Sequence, residues 1–221
     1  MIEWKTSSDP IPLQTAIRIM ERRVVEIYQG KKNQLVWMLE HPHVYSGGTS
    51  SDESHLLSRP QIPVYVTNRG GSYTYHGPGQ RIVYVMIDLR KYKKDIRKFV
   101  WNLEQWLIKS FRDLGVVSGR LEKRVGIWIT PVNPQTTRPK YNNELKIASI
   151  GLRVKNWITY FGVSVNVNPN LSYFDNIVAC GNQGYGVTSL EKQGIIKSLT
   201  EVDRALQHNF NNVFVHADSR G

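Results

Sequence analysis

The sequence predicts one α/β domain in which helices flank a mixed β-sheet, and three observations carry this prediction. The 221 residues are 40% hydrophobic and 21% charged, which is typical of a soluble globular domain. Segments with helical periodicity and short segments rich in β-branched residues follow one another without strict alternation. No repeat or compositional break divides the chain, so we expect a single domain over residues 1–221.

The first helix is predicted over residues 10–29, where apolar residues recur at three- and four-residue steps. Asp9 is its predicted N-cap, and Pro10 suits its first turn. Gly30 is expected to end it, because glycine readily adopts the left-handed conformation that terminates helices.

Short apolar segments rich in β-branched residues predict the strands of the sheet. The segment Ile82–Ile87 is nearly all apolar, as expected of a central strand. The other predicted strands are residues 35–39, 64–67, 126–130, 147–150 and 163–167. Residues 131–143 are polar and rich in proline, which predicts a surface excursion.

Two further helices are predicted in the second half of the chain. Asp95 is expected to cap the first of them and Gly115 to end it. The last helix is expected to begin at Thr200, with Asp203 three residues later, and to run to about Phe210.

The net charge of +11 and the pI near 9.8 predict attraction to nucleic acid, to an anionic membrane or to an acidic protein. The densest basic run, residues 90–98, is interpreted as a solvated loop and helix start, with a partner footprint as the alternative. No nucleic-acid-binding motif occurs, so a nucleic-acid-binding module is a remote alternative and we expect no such partner.

The chain is expected to act in the cytoplasm and without a membrane. No apolar run approaches the roughly 18–20 residues that span a bilayer, and the N-terminal segment lacks the apolar stretch of a signal peptide. One cysteine is also typical of a reducing compartment.

That cysteine, Cys180, cannot form an intrachain disulfide. Its sulfur is a buried apolar group, a metal ligand or a nucleophile, and the surrounding residues alone leave these alternatives open. A metal site is disfavoured, because six scattered histidines provide no cluster of ligands.

The segment Arg69–Gln80 contains four glycines within ten residues and lies between two predicted strands. Such a loop brings backbone N–H groups close to an anion or a carbonyl oxygen, whereas the alternative is a tight glycine hairpin. It is neither a Walker loop nor a dinucleotide fingerprint. Lys146 opens an apolar strand and is either a buried proton shuttle or a residue on the solvent face.

Taken in order, these segments resemble the lipoyl(octanoyl) transferases. The matching motifs cover about residues 35–190 and are Glu40-His-Pro42, Arg69-Gly-Gly-x-x-Thr-Tyr-His-Gly-Pro-Gly-Gln80, Lys146-Ile-Ala-Ser-Ile-Gly151, Gly162-Val-Ser-Val-Asn-Val167 and Cys180-Gly181. Two positions depart from the family pattern: Phe161 stands where histidine is usual, and Ala179 stands where proline is usual.

The resemblance implies a catalytic domain with the fold of the biotin and lipoate protein ligases, used without ATP or a metal. The implied donor is octanoyl-acyl carrier protein, which brings its own phosphopantetheine. The implied acceptors are the lipoyl domains of 2-oxoacid dehydrogenase complexes or the glycine cleavage H protein. An ATP-dependent lipoate or biotin ligase is the alternative on the same fold.

The resemblance also assigns the site residues. It implies that Cys180 is the acyl-thioester nucleophile and that Lys146 lowers its pKa and relays protons. The implied substrate contacts are Arg69, Gly70, Gly71, Ser72, Tyr73, Thr74, Tyr75, His76, Ser149, Ile150, Gly151, Gly162, Val163 and Ser164. Some N–H donors to the tetrahedral intermediates are expected from the Gly70–Gly79 loop.

Overall fold

The computed structural model describes residues 1–58, 60–129, 144–178 and 185–214. The chain divides into two compact units, each built from segments that are distant in sequence. Unit 1 comprises Met1–Lys94, Gly151–Ser164 and Pro169–Gln183, and unit 2 comprises Asp95–Ile150, Val165–Asn168 and Gly184–Gly221. A single domain over the whole chain stays a prediction, and the expected excursion at residues 131–143 lies outside the described residues.

The described residues contain helices and strands in mixed order. The helices are α1 (Leu13–Tyr28), α2 (Ile96–Asp113) and α3 (Leu199–Phe214). The strands are β1 (Ile2–Thr6), β2 (Gln34–Leu39), β3 (Val44–Gly47), β4 (Val64–Val66), β5 (Thr74–His76), β6 (Gln80–Met86), β7 (Gly119–Leu121), β8 (Arg124–Ile129), β9 (Leu145–Lys155), β10 (Ile158–Asn166) and β11 (Gly186–Val187). Within these ranges, no helix combines the length and apolarity needed to cross a bilayer.

Unit 1 contains a mixed sheet, as the sequence predicts. Its strands follow the order β1-β2-β6-β10-β9, with β1 parallel to β2 and β2 antiparallel to β6. A smaller sheet has the order β4-β3-β5 and is also mixed. The predicted mixed sheet with flanking helices is therefore confirmed, whereas β1, β3 and β5 were not predicted.

Helix α1 packs on the larger sheet of unit 1 through the face that its periodicity predicts. Ala16, Met20, Val24 and Ile27 are buried against alternate residues of β2 and β6. The predicted cap is wrong, because the helix begins at Leu13 with no side-chain cap. The helix is preceded by Pro10, Ile11 and Pro12, and Pro12 occupies the N-cap position.

In unit 2, helices α2 and α3 pack together beside a sheet in which β8 pairs antiparallel with both β7 and β9. The indole N–H of Trp106 donates to the carbonyl of Leu206 at 2.7 Å, and the same ring meets Phe210 edge to face. Strand β11 runs parallel to β9 on the other side. These contacts fix the strand that carries Lys146.

The predicted ends of the helices in unit 2 are confirmed for α2 and wrong for the start of α3. Asp95 accepts from the N–H of Lys98 at 2.9 Å, and Gly115 has a φ of +86° just past the helix end. Helix α3 begins earlier than predicted, because Ser198 and Glu201 exchange side-chain-to-backbone hydrogen bonds as a capping box.

Candidate active site

The residues predicted for the site are distributed over both units. Unit 1 holds Arg69–His76, Gly151 and Gly162–Ser164, whereas unit 2 holds Lys146, Ser149 and Ile150. Cys180 and the adjacent Ala179 lie outside the described residues, so the predicted nucleophile stays a prediction. The geometry on each unit is described separately.

In unit 1, Arg69 is a buried cation that binds the backbone of the glycine-rich loop. Its guanidinium donates to the carbonyl oxygens of Gly70 and Ser72, both at 2.9 Å. On β3 it donates to the hydroxyl of Ser46 at 3.1 Å and to the carbonyl oxygen of the same residue. A planar fork of donors suits several carbonyls at once, so Arg69 holds the loop in one conformation.

The loop packs closely against two glycines that lie outside it. A Cβ atom on Gly48 would lie 2.2 Å from the carbonyl oxygen of Gly71 and 2.8 Å from that of Arg69. A Cβ atom on Gly151 would lie 3.2 Å from Cδ of Arg69. Gly151 therefore serves the packing of this loop, and its predicted contact with substrate stays a prediction.

Two backbone N–H groups of the loop already have partners. The N–H of Gly70 donates to the carbonyl of Leu152 at 2.9 Å. The N–H of Gly79 donates to the carboxylate of Glu40 at 2.7 Å. Both bonds stabilise the loop itself, and the expectation that some N–H donors to a tetrahedral intermediate come from the Gly70–Gly79 loop stays a prediction.

The middle of the glycine-rich segment is a strand and not a loop. Residues Thr74–His76 form β5, which pairs antiparallel with β3. The ring of Tyr75 stacks on Tyr173 with a centroid distance of 4.7 Å, and its hydroxyl bonds Nδ1 of His43 at 2.8 Å. Burial raises the pKa of the Tyr75 phenol, so this hydroxyl stays protonated and its ring acts in packing.

His76 is buried in a neutral form beside a second histidine. Its Nδ1 lies 3.0 Å from the side-chain oxygen of Gln80, and the side-chain amide of Gln80 donates to the carbonyl of Tyr75. Burial, together with the neighbouring His41 and Arg69, lowers the pKa of His76 to about 3. At neutral pH His76 therefore carries no charge.

His41 anchors the same region through a short chain of hydrogen bonds. Its Nδ1 faces the carbonyl of Ile11, so Nδ1 carries the proton and Nε2 accepts from the hydroxyl of Tyr84 at 2.6 Å. Burial lowers the pKa of His41 to about 4. His41 was identified from the sequence only as part of the motif Glu40-His-Pro42, without a structural role.

The motif Gly162–Ser164 lies on β10, where it is buried. A Cβ atom on Gly162 would lie 2.1 Å from the carbonyl oxygen of Val83, so glycine is required for the approach of β10 to β6. The preceding Phe161 is buried beside Tyr84 and Tyr160 and has a φ of +61°. The position where the family usually has histidine therefore faces the apolar core of unit 1.

In unit 2, Lys146 is buried, so its alternative placement on the solvent face is wrong. Its Nζ lies 4.9 Å from the ring centroid of Trp128 and 5.5 Å from that of Tyr185. Gly126 contacts its aliphatic chain, since a Cβ atom there would lie 2.6 Å from Cε of Lys146. Sequence reasoning missed these three neighbours, because only the pairing of the strands brings them together.

Ser149 and Ile150 follow Lys146 on β9 and are half-buried, so both remain accessible for their predicted substrate contacts. Among the residues that the structure describes, no group of three or more His, Cys, Asp or Glu side chains could hold a metal ion.

Comparison with known proteins identifies relatives over nearly the full chain. The profile of the family described as the lipoyl protein ligase A/B catalytic domain matches residues 12–211. An octanoyltransferase of Parvibaculum lavamentivorans is 45% identical over 96% of this chain and 92% of its own length. An octanoyltransferase of Jannaschia sp. is 45% identical over 97% of this chain and 99% of its own length.

Solved structures share the fold. A bipartite lipoate protein ligase of Thermoplasma acidophilum matches with a TM-score of 0.70 and 16% identity, over 97% of this chain and 85% of that one. The biotin protein ligase of Aquifex aeolicus matches with a TM-score of 0.54 and 8% identity, over 100% of this chain and 71% of that one. The predicted fold of the biotin and lipoate protein ligases is confirmed.

Proposed function

Because the chain belongs to the octanoyltransferases of the lipoyl protein ligase A/B family, which are acyltransferases, we propose that it transfers an octanoyl group to protein lysines. The donor is octanoyl-acyl carrier protein, and the acceptor is the lipoyl domain of a 2-oxoacid dehydrogenase complex or the glycine cleavage H protein. The transfer takes place in the cytoplasm, where the thiol of Cys180 stays reduced.

The first half-reaction is an exchange of thioesters. The thiolate of Cys180 attacks the octanoyl carbonyl carbon, a new C–S bond forms, and the bond to the phosphopantetheine sulfur breaks. The ammonium of Lys146 stabilises the attacking thiolate and then protonates the leaving sulfur. Because the attacking and leaving thiols have similar basicity, the exchange has little thermodynamic bias.

The second half-reaction forms the amide. The amine of the acceptor lysine attacks the acyl-enzyme, a C–N bond forms, and the bond to Cys180 breaks. The neutral amine of Lys146 takes the proton that the nitrogen loses, which restores the thiolate–ammonium pair. An amide is more stable than a thioester, so this step pulls the transfer forward.

The observation that carries this proposal is the placement of Lys146 on the described part of unit 2. An amine on a paired strand, buried and in contact with two aromatic rings, has a fixed position, which a proton shuttle requires. The remaining positions implied by the family are proposed to contact substrate, and they are Arg69 to His76, Ser149, Ile150, Gly151, Gly162, Val163 and Ser164.

An apolar slot for the octanoyl chain is proposed along the strands that contain Ile147–Ile150 and Val163–Val167. Each buried methylene contributes about 0.8 kcal/mol, so a slot of matching length selects medium chains. The positive net charge of +11 speeds encounter with acidic carrier and acceptor domains. The transfer uses no ATP and no metal, because the donor is already an activated thioester.

The test is a single-turnover reaction with octanoyl-acyl carrier protein, followed by intact mass. The wild type is expected to gain one octanoyl group, and Cys180→Ser is expected to lose the thioester-linked adduct. Lys146→Ala is expected to slow both half-reactions by at least about a hundredfold, as is typical for loss of a general acid–base. Lys192→Ala, an exposed lysine in the same unit, serves as the matched control.

An adduct that forms normally on the serine variant contradicts the mechanism. The ligase alternative is tested separately, because a ligase releases pyrophosphate when it is incubated with ATP and octanoate or lipoate. No pyrophosphate is expected here, and its release would favour an ATP-dependent ligase.

A further inference from the structure

Lys146 lies in a three-sided box, which we call the lysine box, formed by Trp128, Tyr185 and Gly126. The two rings are buried and meet edge to face, with centroids 4.6 Å apart and planes at 86°. The amine lies within about 6 Å of both centroids, the range in which a cation is attracted to an aromatic face. Gly126 provides the third side, where no side chain would fit.

The pairing of β8 with β9 places Trp128 beside the lysine. Trp128 and Lys146 are direct partners, whereas the preceding partners are Ile127 and Ala148. Strand β9 therefore advances two residues while β8 advances one, which is the signature of a β-bulge. A bulge redirects the side chains around it, and here it accompanies the only lysine on the buried part of β9 that the structure describes.

The pairing of β11 with β9 places Tyr185 on the other side. Val187 is the direct partner of Lys146, and the N–H of Thr188 donates to the carbonyl of Lys146 at 3.0 Å. Tyr185 immediately precedes this strand, so its position depends on the same hydrogen bonds. The ring of Trp128 is fixed by its own N–H, which donates to the carbonyl of Arg124 at 3.2 Å.

An aromatic face suits a group that must gain and lose a proton. A buried ammonium needs compensation for its lost hydration, and the π electrons of a ring provide attraction without a basic atom. The ammonium form is attracted to the rings, and the packing of the side chain against them remains when the amine is neutral.

We propose that Trp128 and Tyr185 are positioning residues that hold the amine of Lys146 for proton transfer in both half-reactions. This inference rests on the proposed function, since it assigns the lysine box a role only if Lys146 relays protons. The role assigned to both rings acts through Lys146, whose amine they contact.

The first test compares Trp128→Leu with Trp128→Phe in the single-turnover acylation and transfer reactions. Removal of the π face in Trp128→Leu is expected to slow both half-reactions by about tenfold, with KM little changed. Trp128→Phe retains an aromatic face and is expected to recover most of that loss. Trp157→Leu, which removes an exposed ring near Lys94 in unit 1, is the matched control and should retain the wild-type rate.

The second test separates positioning from a general effect on folding. In a Lys146→Ala background, Trp128→Leu is expected to cause no further loss, because the ring acts only through the lysine. An equal loss in both backgrounds would contradict the inference. If Trp128→Leu does not fold, Tyr185→Leu is used in the same cycle, with thermal unfolding followed for every variant.

The two proposals fail in different ways. Absence of an octanoyl adduct on the wild type contradicts the proposed function itself. The lysine box alone is contradicted by a different set of results. In that case the wild type forms a normal adduct and Lys146→Ala is slow, but Trp128→Leu reacts at the wild-type rate.

Discussion

Each unit of the protein buries a basic side chain, and the described contacts of the two side chains differ in kind. In unit 1, Arg69 donates directional hydrogen bonds to carbonyl oxygens of its own loop and of β3. In unit 2, Lys146 lies between the faces of two aromatic rings. Both side chains are more than nine-tenths buried, with 7% and 6% exposed.

The difference corresponds to two roles for a buried charge. A guanidinium stays protonated in proteins, and its hydrogen bonds to carbonyls fix the backbone around it. The contact of an ammonium with an aromatic face is attractive over a range of angles, so it constrains the backbone less than a set of directional hydrogen bonds does. We therefore expect substitutions at Arg69 to affect stability most, and substitutions around Lys146 to affect the rate.

The largest effect is expected for Arg69→Met, which keeps much of the aliphatic length and removes the donors. The carbonyl oxygens of Ser46, Gly70 and Ser72 would lose partners in a buried setting. We expect a loss of about 3–4 kcal/mol in the free energy of unfolding, measured with urea. The exposed Arg22→Met is the matched control, and a loss below about 1 kcal/mol for Arg69→Met would contradict the anchoring role.

The next effect concerns the stability of the protein in acid, to which the buried histidines His41 and His76 of unit 1 contribute. The pKa of His41 is lowered to about 4 from an ordinary value of 6.5, so the unfolded chain takes up the proton first. The contribution of neutral His41 to the free energy of unfolding is fully present above about pH 6.5. It is lost as the pH decreases towards 4, by roughly 3 kcal/mol. His76 acts in the same direction, with its pKa lowered to about 3.

His41→Gln removes one of the two titrations and keeps a polar side chain beside Tyr84. Urea unfolding at several pH values should show a smaller loss of stability between pH 6.5 and 4 in this variant. The control His208→Gln, at an exposed position, should show the same dependence of the free energy of unfolding on pH as the wild type. If the free energy of unfolding of His41→Gln depends on pH as that of the wild type does, His41 does not titrate as its burial implies.

A smaller loss of stability is expected for Gly126→Ala in unit 2. The added methyl group would lie 2.6 Å from Cε of Lys146 and 2.8 Å from the carbonyl of Ala148, at a φ of +125° that alanine rarely adopts. We expect about 2 kcal/mol lower stability together with a slower acylation, because the amine must move. Gly119→Ala, where a Cβ atom meets nothing, is the control, and normal acylation by Gly126→Ala would contradict the lysine box.

Much of the fold follows from local patterns in the sequence. The helical periodicity of α1 and α2 and the caps at Asp95 and Gly115 could be predicted, because they depend on residues that are neighbours along the chain. The short strands β3 and β5 could not, because three or four residues next to glycines carry no distinct period. Their formation depends on pairing with each other, which is a long-range contact.

The surroundings of the site residues also depend on long-range contacts and could not be predicted from the sequence. Lys146 and the motif from Arg69 could be singled out by type and by family resemblance, but their surroundings could not. Trp128 and Tyr185 are 18 and 39 residues from Lys146 in the chain, and only strand register brings them together. The binding of Arg69 to its own loop was likewise hidden, because an arginine beside glycines is equally compatible with a ligand site.

The smallest effect is expected for Tyr185→Phe, which sharpens the comparison between a hydrogen-bonded and a ring-held cation. The substitution keeps the aromatic face beside Lys146 and the edge-to-face contact with Trp128, and it removes only the hydroxyl. If the ring face holds the amine, both half-reactions should stay within about twofold of the wild type in single-turnover experiments. Tyr185→Leu, which removes the face as well, should be slower than Tyr185→Phe. A tenfold loss in Tyr185→Phe would show that Lys146 depends on the hydroxyl, and the two buried cations would then both be held by directional hydrogen bonds.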